Sequence, residues 1–328
     1  MKSDVVGVVV IGRNEGERLV ECLASVRAVT ENIVYVDSGS TDESVAVAKK
    51  IGASVVMLDL SRPFTAARAR NDGFATLRGL RPNVSYVQFV DGDCILSSDW
   101  INKALAFLDQ REDVAIACGR RRERHPAASI YNQLCDLEWD TPVGEAAACG
   151  GDALVRVTAF EEVGGFLPQI MAGEEPELCV RLRERNWRIF RLDAEMTLHD
   201  AAMTRFSQWW VRSVRSGYGM AEVTRLHRNS PFRLWPRAVP SVLFWSCLLP
   251  ATVALGCLIH PLFLCLAVIY PLQACRIAIR KGGTEPVAWA DAVLILVSKF
   301  AQFQGLLKFY WIWSRGQTAQ LIEYKNTN

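Results

Sequence analysis

Residues 5–29 read VVGVVVIGRNEGERLVECLASVRAV. The run from Val5 to Ile11 is continuous and β-branched, with the length and composition of a strand buried on both faces. GRNEG follows as a polar turn bounded by glycines, and then Leu19, Cys22, Leu23 and Val26 recur at helical spacing on one face. A buried strand feeding a helix through a short polar turn is the repeating unit of a parallel α/β sheet. The unit recurs in NIVYVDSGSTDESVAVAKKIG (32–52), in ASVVMLDL (53–60) with TAARARNDGFATLRG (65–79), and in VSYVQFVDGDC (84–94) with WINKALAFL (100–108). Alternation from residue 5 to about 110 predicts a doubly wound, mostly parallel sheet with helices on both faces. Ligands of such sheets bind beyond the carboxyl ends of the strands. GRNEG, VDSGSTD and VDGDC all fall at those ends.

Three carboxylates therefore gather at one edge: Asp37 closes the second strand, and Asp91 and Asp93 close the fourth. Like charges so placed repel unless a cation or hydrogen-bond donors compensate them. Asp91-Gly92-Asp93 could cap the next helix, but Ser97, Ser98 and Asp99 already supply caps there. Hard oxygen ligands on a short turn suit Mg²⁺ or Mn²⁺, which bind one or two carboxylates together with substrate phosphates. Ser40, Thr41 and Asp42 either cap the helix that follows them or join the same site. No GxGxxG follows the first strand and no GxxxxGK[ST] occurs, so diphosphate charge would be met by metal and arginine.

Composition narrows the class. The chain has 328 residues and a formal net charge of +2, a length that suggests about two domains and a balance that makes no case for nucleic acid. The ten cysteines contain no CxxC pair, and four lie in apolar C-terminal stretches; they read as reduced packing residues. The N-terminal apolar run is too short for a signal-peptide core, so residues 1–235 read as cytosolic. Val239 to Ile279 is almost uncharged and is broken at His260-Pro261. Each half approaches the roughly 20 apolar residues that a spanning helix needs. Arg225, Arg228, Arg233 and Arg237 precede the segment, and Arg276, Arg280 and Lys281 close it. This flanking charge predicts a membrane hairpin with both ends on the cytoplasmic side; two buried core helices are the alternative. A third apolar segment, about 287–313, carries Asp291, Lys299, Gln302 and Lys308 and reads either as a span or as an interfacial helix. Residues 317–328 read as a polar tail.

The stretches VVVIGRNEGERLVECLASV (8–26), VYVDSGSTDESV (34–45), ARNDG (69–73), VDGDC (90–94), CGGDALVRVTAFEEVGGF (149–166) and GEEPELCVRLRERNW (173–187), in that order, resemble the family 2 glycosyltransferases. The resemblance covers about residues 5–225. It implies the GT-A fold, an inverting reaction and a nucleotide-diphosphate sugar donor, with UDP-sugar favoured and Mg²⁺ or Mn²⁺ as cofactor. It further implies that Gly12, Arg13 and Glu15 line the nucleotide pocket, that Asp37 and Ser38 meet the base or ribose, and that Arg70 approaches the base or diphosphate. Asp91 and Gly92 would lie by the ribose and metal, and Asp93 and His199 would bind the metal with Asp91. Gly151 and Asp152 would line the donor side.

Two departures stand out. Ser38 occupies a position where the family often has aspartate. The family's Glu-Asp pair near the acceptor is here Glu174-Glu175, which makes Glu175 the implied base and Glu174 its reserve, with Asp152 or Asp140 next. Pro176 sits at the start of the following helix, whose N-terminal dipole would favour the ionised base and whose arginines read as mostly solvated. The Gln-x-x-Arg-Trp motif of processive synthases is absent: QWWVRSVRSGYG (208–219) is the nearest stretch. Single-sugar transfer is therefore expected. Trp209, Trp210 and Arg212 would lie on an amphipathic helix at the membrane surface, or pack in the core.

The whole chain accordingly reads as a bacterial-type membrane-anchored enzyme. A catalytic domain (1–230) would face the cytoplasm, and a membrane-associated region (235–316) would hold it at the inner membrane near a lipid-linked or saccharide acceptor. Cell-envelope or exopolysaccharide synthesis is the natural setting. A sugar-phosphate nucleotidyltransferase and a non-catalytic sugar-nucleotide-binding scaffold are the alternatives. VIGRNEGERL fits the glycine-rich basic loop of the first poorly.

Overall fold

A computed structural model describes residues 4–316; the polar tail expected at 317–328 lies outside the described residues. The chain forms two compact units. The first takes in the chain to His125, Cys135–Ala201 and Asn229–Leu234; the second takes in Pro126–Leu134, Ala202–Arg228 and the chain from Trp235.

In the first unit β1 (Val6–Gly12), α1 (Glu17–Arg27), β2 (Ile33–Asp37), α2 (Ser44–Ile51), β3 (Ser54–Met57), α3 (Ala66–Leu80) and β4 (Tyr86–Asp91) alternate as the apolar pattern predicts. Val6, Val8, Val9 and Val10 of β1 are all fully buried. Each such valine contributes roughly 1.5–3 kcal/mol, enough to offset the roughly 1–2 kcal/mol per residue of ordering the backbone. Gly52, at φ 92°, ends α2 in the left-handed conformation that glycine adopts without a Cβ clash. Thr65 starts α3, its hydroxyl accepting from the Arg68 amide at 3.0 Å.

Beyond β4 come β5 (Cys94–Leu96), α4 (Trp100–Asp109), β6 (Val114–Glu123), α5 (Ile130–Glu138), β7 (Gly144–Ala146), β8 (Ala153–Arg156), α6 (Val157–Glu162), α7 (Glu174–Glu184) and β9 (Arg188–His199). The sheet order is β3-β2-β1-β4-β8-β6-β9-β5, with β7 on β9. Only β3-β2-β1-β4 and β6-β9 pair in parallel; β4-β8, β8-β6, β9-β5 and β7-β9 are antiparallel. The expected parallel sheet is thus its first half, and the second half is mixed.

That mixture positions the site. Gly12 is level with Asp37, and Ile11 with Asp91. Because β8 runs antiparallel to β4, with Phe89 opposite Ala153, the residues just before β8 arrive beside Asp91. The end of β9 reaches the same edge, with His199 opposite Cys94.

The second unit contains α8 (Phe206–Leu226) and three helices long and apolar enough to cross a membrane: Ala238–Ile259, Pro261–Arg280 and Pro286–Ser314. The break between the first two falls at His260, as read from the sequence. The third segment is one continuous helix of 29 residues. Its C-terminal half lies along α8: Trp210 Nε1 donates to Gln304 Oε1 at 3.0 Å, and the Phe309 and Tyr218 rings meet edge-on at 5.3 Å. This pairing goes with the place of α8 in the second unit.

The two helices touch backbone to backbone. A Cβ on Gly305 would lie 2.1 Å from the Val214 carbonyl oxygen, and one on Gly217 would lie 2.1 Å from that of Gln302. Neither oxygen can swing away as a flexible side chain would. Gly305→Val should therefore destabilise the detergent-solubilised chain by about 3 kcal/mol, read as a lower thermal midpoint. An unchanged midpoint would show that the helices do not pack at this crossing.

Candidate active site

The site of the first unit is built around Arg70. α3 carries this side chain, 2% exposed, under the carboxyl edge of the sheet. Its Nη1 donates to Glu174 Oε1 at 2.8 Å and lies 3.0 Å from Glu175 Oε1, and its Nη2 donates to Asp91 Oδ1 at 2.8 Å. Burial opposes the arginine's charge, but Glu175, Asp91 and Glu174 together outweigh it and raise its pKa. One cation therefore ties the end of β4 to the start of α7. Removing a partner from a buried ion cluster costs about 3–5 kcal/mol, so the three carboxylates depend on Arg70 for their placement.

Asp152 closes the cluster from the β8 side. It is fully buried: Oδ1 accepts from the Asp91 amide at 3.2 Å, and Oδ2 accepts from the Thr197 hydroxyl at 2.7 Å. Arg121 of β6 reaches the same oxygen, with Nη2 at 2.9 Å, and lies 3.8 Å from Asp91 Oδ2. Gly151 lies between them. A Cβ there would stand 2.8 Å from Arg121 Nη2 and 3.2 Å from both Asp91 Oδ2 and Glu175 Oε1. Only a residue without a Cβ lets these charged groups close on the turn this tightly.

Glu175 is perturbed most tellingly. Burial, then the neighbouring Glu174 charge, pushes its carboxyl up to about 7 against the pull of Arg70. The sequence-based expectation that the helix N-terminus would favour the ionised form is overturned, because desolvation and like charge outweigh the dipole here. A carboxyl group balanced near neutrality suits general base work. On α7, Arg181 grips the fully buried Glu177 through two bonds of 2.7 Å.

The two aspartates of VDGDC part company. Asp91 turns to Arg70, whereas Asp93, 5% exposed, turns to His199, whose Nε2 is 3.3 Å from Asp93 Oδ2. Asp37, expected to face the same crevice, is fully buried. Its Oδ1 accepts from the Tyr35 hydroxyl at 3.0 Å and its Oδ2 from the Gly39 and Ser40 amides at 2.9 and 2.8 Å. Repulsion among the three is relieved separately, by an arginine, an imidazole and backbone donors.

The remaining expected residues line the neighbouring turns. Arg13 is exposed, and Glu15, paired with Arg18 at 2.8 Å, lies over Gly92, whose added Cβ would meet Glu15 Cγ at 3.2 Å and Ile11 O at 3.1 Å. Ser38 is buried, and among the described residues its hydroxyl has no hydrogen-bond partner. Ser40 and Asp42 stitch the second turn to the first by accepting from the Asn14 and Gly16 amides. Asp42 also accepts from the Ser44 amide at 3.0 Å, so it serves the helix start as well.

A divalent ion fits the Asp93–His199 corner. Ligand atoms of Asp93, Cys94 and His199 lie within 4.8 Å of one another, and among the described residues the buried Nδ1 of His199 has no hydrogen-bond partner. Burial, with the Arg121 charge next, pushes His199 down to about 4, so the ring is neutral as a ligand must be. Burial pushes the Cys94 thiol well up, which removes a thiolate from the set. One carboxylate and one imidazole, completed by phosphate oxygens of a ligand, are donors that suit Mn²⁺ or Mg²⁺.

Sequence reading missed Arg121, Cys94 and Thr197. CGRRRERH (118–125) did carry a signal, since alternation along a strand turns Arg121 opposite to Arg120 and Arg122. Which of the two faces meets Asp152 depends on the pairing of β6 with β8 and β9.

Residues 7–164 match the family described as Glycosyl transferase family 2. Across 138 residues the chain is 31% identical to a TPR repeat-containing protein of Synechococcus elongatus, a match covering 42% of this chain and 32% of that protein. A stretch of 55 residues is 38% identical to an uncharacterized glycosyltransferase of Rickettsia conorii, covering 17% and 20%. The chain thus spans about a third or less of the curated relatives it matches. In fold it is similar to the mannosyltransferase PcManGT of Pyrobaculum calidifontis, solved with GDP-Man and Mn²⁺. The TM-score is 0.61 at 16% identity, over 94% of this chain and 87% of that one.

Proposed function

We propose that the chain transfers a single sugar from a nucleotide-diphosphate sugar to an acceptor hydroxyl, with inversion, a reading supported by the match of residues 7–164 to the glycosyl transferase family 2 and by the fold it shares with a solved mannosyltransferase. The observation that carries this reading is the Arg70 cluster, which joins a carboxylate at the sheet's donor edge to the paired glutamates of α7. Glu175, balanced near neutrality, would take the acceptor's proton as its oxygen attacks the anomeric carbon. Glu174 would hold Arg70 in place.

Gly12, Arg13, Glu15, Asp37 and Ser38 would receive the nucleoside, and Gly151 would lie on the donor side. Asp93 and His199 would hold Mn²⁺ or Mg²⁺, with Asp91 beside them. Bound there, the ion would offset the charge of the departing diphosphate. A neighbour of like fold was solved with GDP-Man and Mn²⁺; UDP-sugar is the first donor to try. The apolar helices would seat the enzyme on the inner membrane, catalytic face to the cytoplasm, beside a lipid-linked acceptor for envelope or exopolysaccharide synthesis.

The test uses the full chain in detergent with Mn²⁺ and a panel of UDP-, GDP- and dTDP-sugars, scoring nucleoside diphosphate release with membrane lipid extract as acceptor source. Saturable, metal-dependent release from one donor is expected. Saturable donor binding with no release from any donor would instead make the chain a sugar-nucleotide-binding scaffold.

A further inference from the structure

A cavity of about 410 Å³ lies between β6, residues 140–143 and the bulge of β9. The bulge makes it. Pairing jumps from Cys118 opposite Arg191 to Arg120 opposite Glu195, so Leu192, Asp193 and Ala194 stand against Gly119 alone and the ladder opens. Its volume falls within the roughly 300–1,000 Å³ usual for small-molecule sites.

The charges of its wall do not cancel locally. Arg120 pairs with Asp140, and Arg122 with Asp136 at 2.9 Å and Glu195 at 3.1 Å; Lys103 pairs with Asp99. Arg191 differs. It is 9% exposed and lines the cavity, one of its N–H groups donates to the Trp139 carbonyl at 2.8 Å, and among the described residues it has no carboxylate partner. Arginines are almost never so buried unless paired, and a guanidinium has five donors to satisfy. Arg120 adds a buried Nε with no hydrogen-bond partner. Burial depresses the pKa of Arg191, which among the described residues has no carboxylate beside it to offset the loss of water.

We propose that this cavity binds a phosphomonoester of about sugar-phosphate size, its phosphate compensating Arg191 and its hydroxyls meeting the carboxylates of the wall. A bare phosphate would leave most of the volume unfilled, and Asp193 and Glu195 offer acceptors to hydroxyls rather than to a second anion. The site is separate from the Arg70 cluster, because Arg120 and Arg122 alternate with Arg121 and take other partners. It adjoins that cluster through Trp139, whose carbonyl takes the Arg191 bond while its ring meets His199 at 4.8 Å and lies 5.5 Å from the Arg121 guanidinium. Occupancy would therefore steady the residue that packs on the expected metal ligand.

The test is equilibrium dialysis of the full chain in neutral detergent against glucose 1-phosphate and, separately, short-chain phosphatidate, with glucose as the uncharged control. It requires no transfer activity, so its failure is distinguishable from failure of the transferase reading. Saturable binding of one phosphomonoester and none of glucose is expected, the preferred arm telling a soluble from a lipid source. Arg191→Gln should weaken that binding about ten- to hundredfold, the loss of a charged hydrogen bond. Because Arg191→Gln removes a buried group, Thr141→Glu serves as the second variant: this exposed residue at the wall gains an anion without disturbing the interior. It should weaken binding comparably at an unchanged melting midpoint. No saturable binding by the wild type, or wild-type binding by Thr141→Glu, overturns the proposal.

Discussion

Glu175→Gln lowers turnover by about 10²–10⁴-fold at saturating donor and acceptor while leaving donor affinity near wild type. The amide keeps the length and the hydrogen-bonding capacity beside Arg70 but cannot accept the acceptor's proton. Glu174→Gln is the control: its carboxylate is 4% exposed and spent on Arg70 at 2.8 Å, so its loss should reduce turnover far less. Glu175→Asp should keep partial activity, the shorter carboxylate remaining basic but displaced.

The wild-type pH profile adds a second readout. With Glu175 at about 7, turnover should rise with pH through about 7 as the carboxylate ionises, and Glu175→Gln should flatten that limb. Stability should run the other way. A carboxyl whose folded pKa exceeds its unfolded value binds its proton more tightly in the fold, so its stabilisation is present below the unfolded pKa and fades as pH rises through about 7. Should Glu174→Gln be the inactive variant and Glu175→Gln turn over normally, the two roles are exchanged.

Asp93→Ala abolishes Mn²⁺-dependent donor binding, a loss at or beyond the about 100-fold that even outer-shell changes reach in metal sites. The fold should survive. Asp93 turns to His199 and takes no part in the Arg70 cluster, so that cluster stays intact in the variant. Mn²⁺ affinity followed by electron paramagnetic resonance gives a readout apart from turnover. His199→Ala should weaken the ion less, because a carboxylate remains. Equal metal-dependent donor affinity in Asp93→Ala and wild type would remove Asp93 from the metal site.

The local pattern of residues 5–94 determined the first half of the sheet, because a buried parallel strand must be apolar on both faces and its helix on one. It also determined which turns lie at the carboxyl edge, and with them Asp37, Asp91 and Asp93. The break at His260-Pro261 was equally legible, since proline and an uncharged run of that length leave few other structures open. What each carboxylate does there was not. Asp37 folds back on its own turn, Asp91 goes to Arg70 and Asp93 to His199, because residues 70, 174 and 199 arrive from elements distant in sequence. Nor could the sequence place Arg121 on the site's side of β6, since one bulge shifts every side chain beyond it to the other face. The raised pKa of Glu175 was likewise beyond local reading, which saw only a helix N-terminus. Burial is a property of everything that packs around the residue, and here it outweighs the helix on which the residue sits.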